Sequence, residues 1–157
     1  MSFKLVSSGG DVNNPTVVNL TGSGTIKQGE PVDFVRGADY TVAPTTSSST
    51  TTMVFGIGAS YIQGESDSEV LVIPFTSNQL WEATCANAAI TAQCGIRHAL
   101  SASDRGVIHN TSTDVSTQTG IFTALSMVGS TSGSGKLIGY FNRNHQLIPV
   151  NSTTFLQ

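Results

Sequence analysis

Three groups of residues in this chain of 157 supply the types that chemistry requires. His98, Ser101 and Asp104 are, by type, a base, a nucleophile and an orienting acid. A triad works only when the base is aimed at its nucleophile across space and held there by the third group, and three residues within one short hairpin do not meet that demand. A nucleophile elbow of the G-x-S-x-G form would place serine midway between Gly129 and Gly133, where the chain has Thr131. The stretch "GSTSGSGKL", residues 129–137, has the glycines and lysine of a phosphate-cradling loop. Its spacing fails: the first required glycine is Ser130, and the hydroxyl that should follow Lys136 is Leu137. It also leads into a strand pattern, so no helix dipole would point at an anion. Neither acyl transfer nor nucleotide binding is expected, and no residue is assigned a catalytic role.

The remaining groups are equally sparse. His98, His109 and His145 share no metal-ligand spacing with one another or with the cysteines, and Asp67 and Glu69 in "GESDSEV" lack the length of a calcium loop. No metal and no cofactor is expected. Cys85 and Cys94 lie nine positions apart with no second pair. Nothing signals an oxidising compartment, which favours free, partly buried thiols, while a disulfide stays open on geometry. Asn19, Asn110 and Asn151 match the N-x-[ST] pattern, which hydroxyl-rich chains meet by chance.

Composition narrows the class further. Charged residues make up 11% of the chain, against about 25% in ordinary soluble domains, and Ser and Thr outnumber them by about two to one. The polar surface is therefore mostly hydroxyl and amide, which suits packing beside copies of itself or another protein, because a hydroxyl is easier to bury than an ion. With a net charge of −3 and no basic run, the chain's field repels a phosphate backbone, so nucleic acid is not an expected partner. The longest strongly apolar run, "VLVIPF", is too short to span a bilayer, and "MSFKLVSSGG" has no signal-peptide core. The chain reads as soluble, unexported by itself and without a membrane partner.

The elements that must carry these residues are short strands. β-Branched and aromatic runs separated by Gly, Asn, Asp, Ser and Pro recur throughout: "KLV", "TVVNL", "PVDFV", "DYTVA", "TMVFGIGA", "EVLVIPF", "QLWEATC", "GIRHALS", "RGVIHN", "GIFTALSMVG" and "KLIGYF". Only "NAAITAQCG", residues 87–95, has room for a helical turn or two. The expected fold is all-β, a small barrel or sandwich with at most one short helix, in a single domain spanning 1–157. In "IKQGEPV", Gly29 fits the positive-φ third position of a turn and Pro31 opens the next strand, so the unit reads as a hairpin corner beside which Glu30 is solvated. Residues 44–52, "PTTSSSTTT", read as a protruding loop.

Two stretches invite contact. "QLWEATC" alternates, with Trp81, Ala83 and Cys85 on one face and Leu80, Glu82 and Thr84 on the other. "EVLVIPF" does not: Val70 and Val72 face one way, and Leu71, Ile73 and Phe75 the other. Both faces want cover, from a second layer or from another subunit, and these five residues are the candidate subunit contact. The N-terminal 1–15 stretch, with Phe3 and Leu5 on one side, is either a strand of the chain's own sheet or an arm added to a neighbour's sheet edge.

In order, "IKQGEPVDF", "FGIGASYIQGESDSEVLVIPFTSNQLWEATC", "ITAQCG", "DRGVIHNTS", "GIFTALSMVG" and "GKLIGYF" resemble the β-rich capsid cement, or head decoration, proteins of tailed bacteriophages, over roughly residues 20–142. The likeness lies in a Gly-acid-x-Val corner, a "GIA"-like strand, an apolar strand ending in proline, an "x-x-E-A" strand, and a late strand followed by a glycine and a terminal strand. The 44–52 loop and the cysteine pair are departures from that pattern. The resemblance implies a small β-barrel-like protein, commonly trimeric, on the outer capsid surface of a virion, made in the host cytoplasm. It clamps neighbouring copies of the major capsid protein and has no catalytic residues; Phe3 and Leu5 become the candidate capsid-contact arm. The alternative is a virion or cell-surface β-domain that binds glycan or host receptor, which needs Trp81, Tyr40, Tyr61 and Tyr140 on one exposed face.

Overall fold

The computed structural model describes residues 3–7, 15–35, 37–45, 54–61, 68–76, 79–101, 106–115, 120–129 and 135–142. These form eleven strands: β1 (Phe3–Ser7), β2 (Val18–Gly22), β3 (Pro31–Phe34), β4 (Thr41–Pro44), β5 (Gly56–Gly58), β6 (Ser68–Pro74), β7 (Leu80–Thr84), β8 (Arg97–Leu100), β9 (Ile108–His109), β10 (Phe122–Val128) and β11 (Lys136–Phe141). Each of the eleven apolar runs carries one strand, and "NAAITAQCG" holds a single 3₁₀ turn, Thr91–Gln93. The all-β expectation is met. Of the 44–52 loop, residues 46–52 lie outside the described residues.

The strands form two bodies of sheet. β2, β4, β3, β5 and β6 close into a barrel, with β2 paired parallel to β4 and antiparallel to β6. β1, β7, β11, β10, β8 and β9 form a second sheet in that order. A parallel bridge between Cys85 and Ile108 draws β9 back to the end of β7, so this sheet curls on itself.

Each body has its own core. Leu20, Ile26, Val32, Val42, Val70 and Val72 fill the barrel, all at 8% exposure or less. The second core is aromatic: Phe3 packs at a tilt on Phe141 with 4.9 Å between ring centroids, and Phe75 meets Trp81 edge-on at 5.7 Å, a geometry in which a positive ring edge meets a negative face. Val54, Ile57 and Phe75 belong to this second core although they lie in or beside barrel strands, so it also seals the junction between barrel and sheet.

The corner at Lys27–Glu30 is built as the sequence indicates, but it is not a hairpin. Gly29 has φ 83°, Glu30 N–H closes the turn on the Lys27 carbonyl at 3.1 Å, and Pro31 begins β3. β2 and β3 do not pair with each other; β4 lies between them. The corner instead bonds to β5 through Gly29 N–H on the Gly58 carbonyl and Gly58 N–H on the Glu30 carbonyl, and Phe3 N–H of β1 reaches the Gly29 carbonyl. Glu30 is 2% exposed, contrary to the solvated acid expected, and its Oε2 accepts the Lys27 N–H at 2.9 Å. The carboxyl is buried because it serves a turn amide that the joint between barrel and sheet closes off from water.

Candidate functional site

Three features are candidates for function: a buried polar cluster, a cleft at the junction, and the exposed apolar residues. The cluster forms where the 87–93 segment folds over β8 and β9. Asn110, just past β9, is 2% exposed. Its Oδ1 accepts the Asn87 N–H at 2.8 Å, and its Nδ2 donates to the Ala88 carbonyl at 3.0 Å and to Gln93 Oε1 at 3.1 Å. Gln93 Oε1 also accepts the Ile90 N–H at 3.0 Å. A primary amide offers two donors and an acceptor in one plane, which suits a hub that ties an irregular segment to a strand end. Asn110 is thereby excluded as an accessible sequon in the folded chain, whereas Asn19 is exposed on β2.

His98 lies beside this cluster, fully buried on β8. Its Nε2 faces the Gln93 carbonyl at 2.9 Å, and since a carbonyl only accepts, Nε2 carries the proton. Nδ1 has no partner among the described residues. Burial lowers the pKa of the ring below its ordinary value, while the Gln93 carbonyl and the charge of Asp114 act in the opposite direction. Asp114 is itself committed to Arg97: its Oδ1 accepts Arg97 Nε at 3.0 Å and its Oδ2 pairs with Nη2. That pairing holds the Asp114 carboxyl down at about 2. Ser101 is buried, and Asp104 and His145 lie outside the described residues. The proton of Nε2 is held by a carbonyl and Nδ1 is closed off from solvent in this structure.

The cleft, about 180 Å³, lies between barrel and sheet and is lined by Phe3, Leu5, Gly29, Ile57, Ile73 and Trp81 among others. Trp81 is 1% exposed and its Nε1 has no partner among the described residues. The lining offers apolar contact but no acid–base pair. Cys85 and Cys94 are free thiols, and burial pushes Cys85 up to about 12. Among the described residues, no group of three or more His, Cys, Asp or Glu is placed to hold a metal ion, and no helix is long and apolar enough to cross a membrane.

The proposed contact residues divide. Phe3 and Leu5 are 3% and 7% exposed and sit in the chain's own aromatic core, with β1 paired to β7, so they are not an arm presented to a capsid. Val70 and Val72 point into the barrel at 0%, and Phe75 lies in the second core, which removes all three from any subunit surface. Leu71 is 42% exposed and Ile73 half-buried, so of the five only these two reach the outside. Alternation on the barrel wall sends Val70 and Val72 into the lumen and Leu71, Ile73 and Phe75 outward, and the second sheet's core then covers Phe75. On the neighbouring strand Asn19 pairs with Leu71, and Val17, at 43% exposure, extends the same wall.

Other exposed apolar residues were not visible as such in the sequence. Leu125, 50% exposed, and Val6, 40% exposed, lie on the outward parity of β10 and β1, and the register shifts at Ala124/Ser126 and Leu5/Ser7 leave the next residues, Ser126 and Ser7, exposed as well. Tyr40, Tyr61 and Tyr140 are exposed at 77%, 57% and 39%. Trp81 is not, so the four-residue aromatic platform does not exist in this fold.

No protein-family model and no curated protein matches the sequence. Among solved structures, the fold is similar to the N base of the head fiber gp8.5 of bacteriophage phi29. The TM-score is 0.51 at 10% identity, covering 85% of this chain and 98% of that one. At that identity the likeness is one of fold.

Proposed function

We propose that this chain is a phage capsid decoration, or cement, protein: it binds the outer surface of the major capsid protein lattice as a homotrimer and stabilises the head without making or breaking covalent bonds. The observation that carries this reading is the shared fold with the phi29 head fiber base, which extends over most of both chains and belongs to a protein of the phage head. A charge-poor surface rich in hydroxyls supports it, since such a surface packs against a crowded lattice at low desolvation cost.

The mechanism is contact area. Each bound copy covers seams between capsid subunits, and the association free energy of those contacts must be undone before the shell can rupture. A trimer that engages several capsid subunits dissociates only when all contacts open together, so modest individual sites give high avidity. On this reading the outer wall of β2 and β6, with Val17 and Leu71, is the subunit contact, because it is the exposed part of the "EVLVIPF" surface, Ile73 being packed at the junction with the sheet.

Co-sedimentation with heads that lack the protein tests the proposal. Saturable, stoichiometric recovery with heads, together with greater resistance of those heads to heat, is the expected result. Recovery only with host cells or polysaccharide, or location at a single tail vertex, overturns it.

A further inference from the structure

We propose that His98 makes the 87–96 segment an acid-released latch: the neutral ring fits its closed site, and the protonated ring requires that segment to open. The geometry is one-sided. In the closed state Nε2–H donates to the Gln93 carbonyl, while Nδ1 faces no acceptor among the described residues and the whole side chain is excluded from solvent. A neutral ring leaves one lone pair unmatched there. An imidazolium adds an N–H with nowhere to donate and a full charge in a buried setting, which is a much larger penalty.

Among the described residues, the surrounding charges offer no relief. β10, which pairs with β8 through Phe122 and His98, carries no titratable side chain over Phe122–Val128. The 3₁₀ turn contributes none. β9 contributes His109, which is exposed, and the buried Cys85 follows β7. Among the described residues, the one carboxylate that attracts the ring's charge is Asp114, and both its oxygens are held by Arg97. Water is the remaining acceptor for Nδ1–H, and it reaches the ring when the cover lifts.

The cover that can lift independently is the 87–96 segment. It has no regular secondary structure beyond one 3₁₀ turn and is tied down by the amide hub of Asn110, by Gly95 N–H on the Ala124 carbonyl at 2.8 Å, by Ala124 N–H on the Ile96 carbonyl and Gly135 N–H on the Asn87 carbonyl, by the buried Ala89, and by His98 itself. Such segments open at lower free energy than the strands they cover. Because the folded ring binds a proton less readily than a free one, closure is fully favoured above the free imidazole value of about 6.5 and is lost as pH falls below it. One proton taken up on opening changes the opening equilibrium by about tenfold per pH unit in that window.

The test is amide hydrogen exchange on the full chain between about pH 7.5 and about pH 5, with rates corrected to protection factors. Gln93, Cys94 and Gly95 amides should lose about tenfold protection per unit below pH 6.5, while the barrel amides of Thr21 and Ser23 keep theirs. In His98→Gln the pH dependence of the segment should vanish. Ring nitrogen shifts of His98 in the unaltered protein give a readout that needs no variant: the Nε2–H tautomer should persist until protection falls. Protonation of the ring with the three amides still protected overturns the latch. So does loss of protection in barrel and segment together, which marks global acid unfolding.

Discussion

At the scale of single residues, polar side chains in this molecule serve the backbone more than they serve any ligand. Glu30, Gln93 and Asn110 are buried and each accepts a main-chain N–H from a segment with no strand partner. Removing one partner leaves the other desolvated, which costs more than the bond itself is worth. Asn110→Ala should therefore destabilise the chain by about 2–3 kcal/mol in urea denaturation, since it strands the Asn87 N–H and takes one donor each from the Ala88 carbonyl and Gln93 Oε1. Asn110→Asp should be at least as harmful, because it turns a carboxylate oxygen toward the Ala88 carbonyl. The cysteines differ for a related reason. With Cys85 pushed up to about 12 and buried, almost no thiolate forms at pH 8, so iodoacetamide should modify Cys94 in the native protein and Cys85 only after unfolding. Equal labelling by mass spectrometry would contradict this.

At the scale of elements, glycines set how closely strands and segments approach. A Cβ on Gly139 of β11 would overlap the Thr123 carbonyl of β10, beside the register shift between Ala124 and Ser126. Gly139→Ala should lower stability by about 1–3 kcal/mol, because neither backbone can move without breaking the ladder on both sides of β11. At the corner the constraint is conformational. Gly29 has φ 83°, so Gly29→Ala should cost about 1–2 kcal/mol, measured as a shift in the denaturation midpoint without a change in slope. If Gly139→Ala were neutral, the β10–β11 register described here would be wrong. The corner also shows how one turn can join two bodies, since its carbonyls and amides bond to β5 of the barrel and β1 of the sheet.

At the scale of the whole molecule, the proposed trimer uses the outer barrel wall. Leu71→Asp should leave thermal stability within about 0.5 kcal/mol, as expected for a surface site, while lowering trimer content in sedimentation velocity by more than about tenfold. An unchanged oligomer would move the contact elsewhere. Much of the architecture was legible before the chain was folded. All eleven strands, the positive-φ glycine of the corner, the proline that opens β3 and the in–out alternation of Trp81, Ala83 and Cys85 follow from short-range rules of period and backbone angle, which act within a few residues. Side-chain fate along "EVLVIPF" was not legible, because apolar residues on both faces of a strand say only that cover is wanted. Ring closure of the barrel decided that Val70 and Val72 are lumen and Leu71 is wall. The same holds for Phe3 and Leu5, for Glu30, and for the Asn110 hub, whose partner Asn87 lies 23 positions away. Local sequence thus determined that the chain makes strands and where it turns. Only the tertiary structure decided which polar groups lose water and which apolar ones keep it, because burial depends on contacts between segments far apart in the chain.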